Sequence, residues 1–238
     1  MKKVVILLTW KRLDKLSQTL KSLHGQTDQD FDVHISNANL NDGAINKIEE
    51  VASTYKKLGM GIKVTHDGND YSCFRRFFIA RDYANDGYGV VFFLDDDITI
   101  PRFYIQKMMS QFVPGGYHSF YAWNFRPKAT NYWRDRTRLS DNESEIRYAG
   151  AGVSMTDAKL FQDKRLFDVV SPMAYHIDDL WMSYFCNHVA KAPIVYTYVS
   201  NVHIGGNDKA ALYKKLKAEG GDQKSLFFQL LIKNGWDI

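Results

Sequence analysis

At 238 residues, with 45% hydrophobic and 24% charged residues, the chain is long and apolar enough to bury one sizeable core, with or without a small appendage. Its formal charge of +4 and pI near 8.8 suit an anionic ligand such as a nucleotide without demanding nucleic acid. No apolar run approaches the ~20 residues that span a bilayer, and two cysteines are too few for a disulfide framework, so a reducing, cytoplasmic setting is the expectation.

The opening KKVVILLTW reads as a buried β-strand. Its apolar run is short for a signal peptide, and Lys11, Arg12 and Asp14 follow without a small-residue cleavage site. RLDKLSQTLKSLHGQ spaces Leu13, Leu16, Leu20 and Leu23 along one helical face. FDVHISNAN is a second strand with a polar carboxyl end, INKIEEVASTYKKLG a helix with a glycine stop, and GIKVTHDG a short strand and turn. YSCFRRFFIARDYAND then reads as a helix, and GYGVVFFLDDD as the most strongly buried strand. This alternation predicts an α/β fold, a mostly parallel sheet flanked by helices. Ligands of such sheets sit at the carboxyl ends of the strands, where Thr9 to Arg12, Ser36 to Asn39, His66 to Asp70 and Asp95 to Asp97 fall.

Beyond Asp97 the pattern loosens. YIQKMMSQF reads as a helix, YHSFYAWNF as a strand, and PKATNYWRDRTRLSDNESE as polar and irregular. EIRYAGAGVSM is an extended run into a small-residue turn, DAKLFQDKRLF and DDLWMSYFCNHVA are helical, and APIVYTYVSNV is a strand. DKAALYKKLKAEGGDQKSLFFQLLIKNGW closes the chain as helix, turn and helix. The sequence shows no internal repeat, low-complexity tract or interdomain linker.

The apolar run of VVFFLDDDI ends directly in Asp95, Asp96 and Asp97. Carboxylates this close repel, and each is costly to desolvate. A divalent cation, Mn2+ or Mg2+, is the economical counterion, because it takes hard oxygen ligands from one or two carboxylates and from substrate phosphates. A solvated acidic turn and a phosphoryl-transfer site are the alternatives. Downstream, YAGAGVSM offers Gly150, Ala151 and Gly152, a turn that lets backbone approach a ligand or simply packs tightly. In HIDDLWMSYF, Asp178 and Asp179 open a helix, either as caps or as a general base and its support. In YVSNVHIGG, His203 closes a strand, as a structural residue or a metal ligand.

Taken in order, FLDDDI, YAGAGVSM, HIDDLWMSYF and VHIGG resemble the shared core of GT-A-fold nucleotide-sugar glycosyltransferases, most similar to family 2, over about Lys2 to Gly206. The resemblance implies a GT-A catalytic domain over 1–206, with a nucleotide-sugar half of about 1–100 and an acceptor half of about 101–206. A helical extension follows over 207–238. It implies that Asp97 binds the metal bridging the donor diphosphate, that Asp95 contacts the ribose or the metal, with Asp96 beside them, and that His203 completes the shell. Asp179 matches the catalytic base of inverting members, with Asp178 in support. Thr9, Trp10 and Arg12 would line the nucleotide pocket, and Arg76 or Arg81 would meet phosphate or sugar, unless they are ordinary surface arginines. Asn37 or Asn39 stands where many relatives carry an acidic residue that reads the base, which leaves the base open. A UDP-sugar, with UDP-glucose as the default, is carried by the family and by no residue here. Gly150, Ala151 and Gly152, with Trp123, Trp133 and Trp181, would meet the acceptor.

FYAWNFRPKATNYWRDRTR interleaves Tyr121, Trp123, Phe125, Tyr132 and Trp133 with Arg126, Lys128, Arg134, Arg136 and Arg138. Aromatic rings stack on sugars or bases and arginines suit phosphates, so the expected acceptor is a glycan, a lipid-linked sugar or modified nucleic acid. A core hairpin with a solvated basic edge explains the same pattern. In the tail, Leu226, Phe227, Leu230 and Leu231 suit packing on the domain or on a partner subunit, as in a homo-oligomer, better than insertion in a membrane. A peripheral membrane contact would fit a lipid-linked acceptor. Two other functions compete with the transferase. A nucleotidyltransferase also pairs a nucleotide fold with metal-binding aspartates, but no glycine-rich phosphate loop with a lysine follows the first strand. A non-catalytic glycan- or nucleic-acid-binding module on a decayed transferase has no need of both the Asp95–Asp97 cluster and Asp179.

Overall fold

The computed structural model describes residues 1–69, 71–142, 145–205, 216 and 222–238. Its first half is the expected series of β–α units: β1 (Lys3–Thr9), α1 (Leu13–His24), β2 (Asp32–Asn37), α2 (Asp42–Lys57), β3 (Ile62–His66), α3 (Arg75–Asn85) and β4 (Val90–Asp95). Val90 to Leu94 are all fully buried, which is why β4 reads as an unbroken apolar run rather than an alternating one. The leucines of α1 bury Leu16, Leu20 and Leu23, and α2 starts where the Asn41 side chain accepts the Gly43 N–H at 3.0 Å.

The second half contributes β5 (Ile98–Thr99), α4 (Tyr104–Met109), β6 (Tyr117–Ser119), β7 (Ala122–Phe125), β8 (Arg136–Arg138), β9 (Tyr148–Ala149) and β10 (Val153–Asp157). After these come α5 (Asp178–Tyr184), β11 (Ile194–Tyr196), β12 (His203–Ile204) and α6 (Gln223–Lys233). The main sheet has seven strands in the order β11-β6-β10-β4-β1-β2-β3. β4, β1, β2 and β3 are parallel, whereas β10 runs antiparallel to both β4 and β6. This reversal sets the Gly150–Gly152 turn beside the carboxyl end of β4, with Val153 opposite Leu94. A three-stranded sheet, β8-β7-β9, and a two-stranded one, β12-β5, flank that end.

Alternation along β1 divides the core between the two faces of the sheet. Val5 and Leu7 pack with the leucines of α1 and with Ile48, while Val4 and Ile6 pack with Phe74, Phe77 and Phe93. Phe227, Phe228 and Leu231 of α6 belong to the second cluster and are fully buried, each contributing about 1.5–3 kcal/mol of burial. The C-terminal helix is therefore packed into the body of the fold. The preceding helix expected in DKAALYKKLKAEGG lies, apart from Leu216, outside the described residues. Among the described residues, no helix is long and apolar enough to cross a membrane.

Three elements differ from their sequence reading, each for a local reason. The expected strand YHSFYAWNF breaks into β6 and β7, which join different sheets. Ser119 turns the chain there: its hydroxyl accepts the Tyr121 N–H at 3.0 Å and donates to the Gly150 carbonyl at 2.6 Å. DAKLFQDKRLF forms two 3-10 turns instead of a helix, because Asp157 and Asp163 each accept a backbone N–H two residues on, at 3.0 Å. Within the stretch read as irregular, β8 forms by pairing with β7.

Candidate active site

The carboxyl ends of β1 and β4 lie side by side, so the turn after β1 can supply a counterion to the carboxylates after β4. Arg12 does so, forking onto Asp96 at 2.8 Å and onto Asp97. Thr19 fixes the turn by donating its hydroxyl to the Asp96 carbonyl at 2.9 Å. Burial nevertheless dominates: it raises the pKa of Asp96 to about 6 and that of Asp97 also upward, with Arg12 opposing both. Asp95 differs, its side chain being 38% exposed and 3.3 Å from Arg76. Its N–H donates to the Gly152 carbonyl at 3.0 Å, and a Cβ at position 152 would lie 2.3 Å from Asp95 Oδ2. Glycine is required there by that close approach.

Arg76 joins the two acidic motifs. Its buried guanidinium also lies 3.0 Å from Asp178 at the start of α5. Burial opposes the charge on Arg76, but Asp178 and Asp95 outweigh it and raise its pKa. Burial raises Asp178 to about 6, with Arg76 opposing and Asp179 and Asp95 adding repulsion. Asp179, 17% exposed, has the opposite balance. Its Oδ2 accepts from the Tyr148 hydroxyl and, at 2.8 Å, from Lys224 Nζ in the first turn of α6, while Oδ1 accepts the Leu180 N–H at 2.8 Å. Burial alone would raise the pKa of Asp179; the charge and hydrogen bond of Lys224, with Tyr148, outweigh it and hold the carboxyl below its ordinary range. The glycine turn is tied to α5 as well, since the Ala149 N–H donates to the Ser183 hydroxyl at 3.0 Å.

Arg12, Arg76, Asp95, Asp96, Asp97, Gly152, Asp178 and Asp179 thus form one connected set. Thr9 is buried beneath it, Gly150 and Ala151 line the turn, and Trp10 is 40% exposed with the Lys11 ammonium 4.0 Å from its ring centre. Other expected residues are engaged elsewhere. Asn37 is fully buried, donates to the Asn39 carbonyl at 2.7 Å and lies 3.0 Å from His66 Nδ1, while its Oδ1 accepts the Asn39 N–H at 2.8 Å. Both asparagines therefore build a turn. Arg81 stacks over Phe167 at 4.6 Å and Phe78 at 5.3 Å. Trp181 has no acceptor-facing surface: it is 1% exposed and donates its indole N–H to the Leu166 carbonyl at 2.7 Å. Trp133 donates to Asp222 at 2.8 Å, whereas Trp123 stays partly exposed beside the rings of Tyr121 and Tyr148.

His203 is exposed and pairs through β12 with Thr99, and Gly205 N–H donates to the Asp97 carbonyl at 2.7 Å. Asp95, Asp97 and His203 do not converge: among the described residues, no three His, Cys, Asp or Glu side chains are grouped to hold a metal ion. Mg2+ and Mn2+ need no such trio, since one or two carboxylates and substrate phosphates suffice. Asp95, whose Oδ2 faces the space left by the missing Cβ of Gly152, and Asp97 are hard-oxygen donors of that kind. The donor set fits the ion.

Sequence reading missed three residues. Arg75, next to the one it singled out, donates to the carbonyls of Thr9 at 3.1 Å and Ser36 at 3.0 Å, closing the ends of β1 and β2. Tyr148 stands in a quoted motif whose glycines drew the attention. Lys224 carries no local signal at all, since it meets Asp179 only through the packing of α6.

Comparison with known proteins bears on the fold and the family. No curated protein matches the sequence significantly. Among solved structures, a mannosyltransferase from Pyrobaculum calidifontis in complex with GDP-Man and Mn2+ superposes with a TM-score of 0.61 at 13% identity, over 87% of this chain and 58% of that one. GalNAc-T7 with UDP, GalNAc and Mn2+ gives 0.63 at 9% identity, over 98% and 48%. S. aureus TarS gives 0.56 at 15%, over 94% and 41%. The chain spans about half the length of these structures, with which it shares the GT-A fold. The sequence profile described as Glycosyl transferase family 2 matches residues 4–175, well over half of the chain, and the chain belongs to that family.

Proposed function

We propose that the protein is a metal-dependent glycosyltransferase that moves a sugar from a nucleotide-sugar donor to an acceptor hydroxyl, with inversion at the anomeric carbon. Family membership supports the reaction class. The observation that carries the residue roles is the bridge through Arg76, which fixes the donor-side carboxylate Asp95 beside the helix that bears Asp179. Asp95 and Asp97 would hold a divalent cation together with the donor phosphates, and the ion would supply Lewis-acid stabilisation of the leaving diphosphate. Arg12, already shared by Asp96 and Asp97, keeps those carboxylates in place.

Asp179 acts as general base. Lys224 keeps it ionised at neutral pH, and its partial exposure leaves it open to a hydroxyl. As the acceptor oxygen bonds to the anomeric carbon, its proton passes to Asp179 and the bond to the diphosphate oxygen breaks, leaving the nucleoside diphosphate. Asp178, buried against Arg76, positions the start of α5. A UDP-sugar is the favoured donor, with UDP-glucose as the first choice to test; solved relatives hold GDP-Man, UDP and UDP-GlcNAc.

Thermal stabilisation by a panel of nucleoside diphosphates, with and without Mn2+, tests the donor reading. A ligand at 100 times its dissociation constant adds about 2.7 kcal/mol to stability. A manganese-dependent shift with one nucleotide, lost in Asp97→Ala, is the expected result. Asp179→Asn should retain that shift and lose roughly 10²–10⁴-fold in transfer rate. No shift with any nucleotide would overturn the proposal.

A further inference from the structure

The small sheet has one face with two unlike ends. Cross-strand register sets Trp123 of β7 opposite Arg138 of β8 and Tyr148 of β9, and Phe125 opposite Arg136, so these side chains share a face. At the Phe125 end, α6 and the chain end cover it, with Phe228 at 4.4 Å and Trp236 at 6.1 Å between ring centres. At the other end Tyr121 and Trp123 remain partly exposed, and Arg138 is exposed.

Rings and cations alternate along this open end. The Arg138 guanidinium lies 5.0 Å from the Tyr121 ring centre, Tyr121 stacks on Trp123 at 5.7 Å and 13°, and Arg136 lies 4.9 Å from Trp123 and 4.4 Å from Tyr132. Lys224 follows, 5.0 Å from Tyr132, with its ammonium on Asp179. The opposite end adjoins the glycine turn that holds Asp95: the Gly150 N–H donates to the Tyr121 carbonyl at 3.0 Å, and the Asp95 N–H to the Gly152 carbonyl at 3.0 Å. The series therefore leads from the donor cluster to the base.

The cations along it are not equivalent. Arg126 and Arg134 share the carboxylate of Asp135, at 2.6 and 3.1 Å. Arg136 donates to the Tyr132 hydroxyl and Arg138 contacts rings; among the described residues, neither forms an ion pair. A guanidinium stacked on a ring keeps its in-plane N–H donors, which match a carboxylate or phosphate in fork geometry.

We propose that this face is the acceptor subsite and that it takes an anionic sugar. The sugar ring lies on Tyr121 and Trp123, and its carboxylate or phosphate is held by Arg138 and Arg136. The inference rests on the glycosyltransferase reading and narrows its acceptor. Aromatic rings alone would serve a neutral glycan equally well; two guanidiniums that pair with no carboxylate among the described residues favour the charged one.

The test is titration of the full chain with methyl β-D-glucuronide and with glucose 6-phosphate, the two sources of negative charge, against methyl β-D-glucoside, read by tryptophan fluorescence. One or both charged sugars should bind at least about tenfold more tightly, equivalent to ~1.4 kcal/mol. Arg138→Gln should abolish the preference, and Arg138→Lys, which keeps the charge, should retain part of it. Equal affinity for the three sugars, or a preference that survives Arg138→Gln, would overturn the inference, as would single-stranded RNA outcompeting every sugar. Manganese-dependent nucleotide binding by the same preparation separates the two ideas. If it persists without a charged-sugar preference, only the subsite fails. If it is missing while the preference is present, the subsite stands and the donor reading fails.

Discussion

At the end of β4, one arginine serves two buried carboxylates; at the start of α5, a lysine and a tyrosine serve one. The balance differs accordingly. Burial prevails over Arg12 and raises the pKa of Asp96 and Asp97, while Lys224 prevails over burial and lowers that of Asp179. The donor cluster is thus left short of positive charge, a state that an incoming cation relieves. On the acceptor side Asp179 is compensated even though its neighbour Asp178 is not, and on the proposed reading this keeps Asp179 ionised and able to take a proton. On the proposed function the two halves of the site would meet opposite events, arrival of a cation and arrival of a proton.

The most forceful way to break this contrast is Lys224→Met. Lys224 is 10% exposed on its side chain, and its removal leaves Asp179 charged and largely buried. The expected cost is about 3 kcal/mol, at the lower end for a broken buried pair because Asp179 keeps some access to water. Urea denaturation would measure it. Combining the change with Asp179→Asn should cost clearly less than the sum of the two, because the uncompensated charge is then gone. Without Lys224 the pKa of Asp179 rises, so the acid limb of the rate–pH profile should move to higher pH. An additive double variant with an unmoved limb would mean that the pair is structural only.

Lys224 also marks where sequence reading stops. The Asp95–Asp97 cluster was legible because strand, charge and turn lie within a few consecutive residues, and Arg12 because ligand-binding turns follow parallel strands. Nothing near Lys224 announces its partner. The small sheet is legible only in part: a core hairpin with a solvated basic edge is one reading of Phe120 to Arg138, and β7 and β8 do pair antiparallel, but a polar stretch without periodicity does not fix β8 or its register. Asn37 and Trp181 show the converse limit. A polar residue at a strand end and an aromatic one near an acidic pair have the right type for a ligand site, but a local turn and the core claimed them first.

Acid titration sharpens the contrast by setting the Asp179–Lys224 pair against a buried group outside the site. His34 of β2 bonds to Thr65 at 2.9 Å, and burial, with Lys63 adding repulsion, lowers its pKa to about 4. The unfolded chain therefore binds a proton below pH ~6.5 that the folded one refuses, so stability falls as pH drops from about 6.5 towards 4. The pair of Asp179 and Lys224 behaves differently, because a carboxyl held below its ordinary range yields only at lower pH still. His34→Gln should remove roughly 2–3 kcal/mol of the acid-induced loss in the upper window and leave the lower one unchanged. Urea midpoints at pH 7, 5 and 4 would show it. A variant as acid-sensitive as the parent above pH 4 would place the first failure elsewhere.

The smallest effect belongs to Arg81, one of the two arginines on α3 considered for the donor phosphates. Arg76 is buried between Asp95 and Asp178, whereas Arg81 lies over the rings of Phe78 and Phe167. If those rings are its whole purpose, Arg81→Gln should cost about 0.5–1 kcal/mol, the size of a partly exposed cation–π contact. Manganese-dependent nucleotide affinity should then stay within error of the parent. A guanidinium that instead swings onto a phosphate would lose charge-assisted hydrogen bonds on substitution, worth about 1.5–3 kcal/mol and hence tenfold or more in affinity. Titration of parent and variant with the stabilising nucleotide separates these outcomes. Unchanged affinity confines donor electrostatics to the residues at the ends of β1 and β4. A tenfold loss would extend them along α3 and enlarge the very side of the site that is short of positive charge.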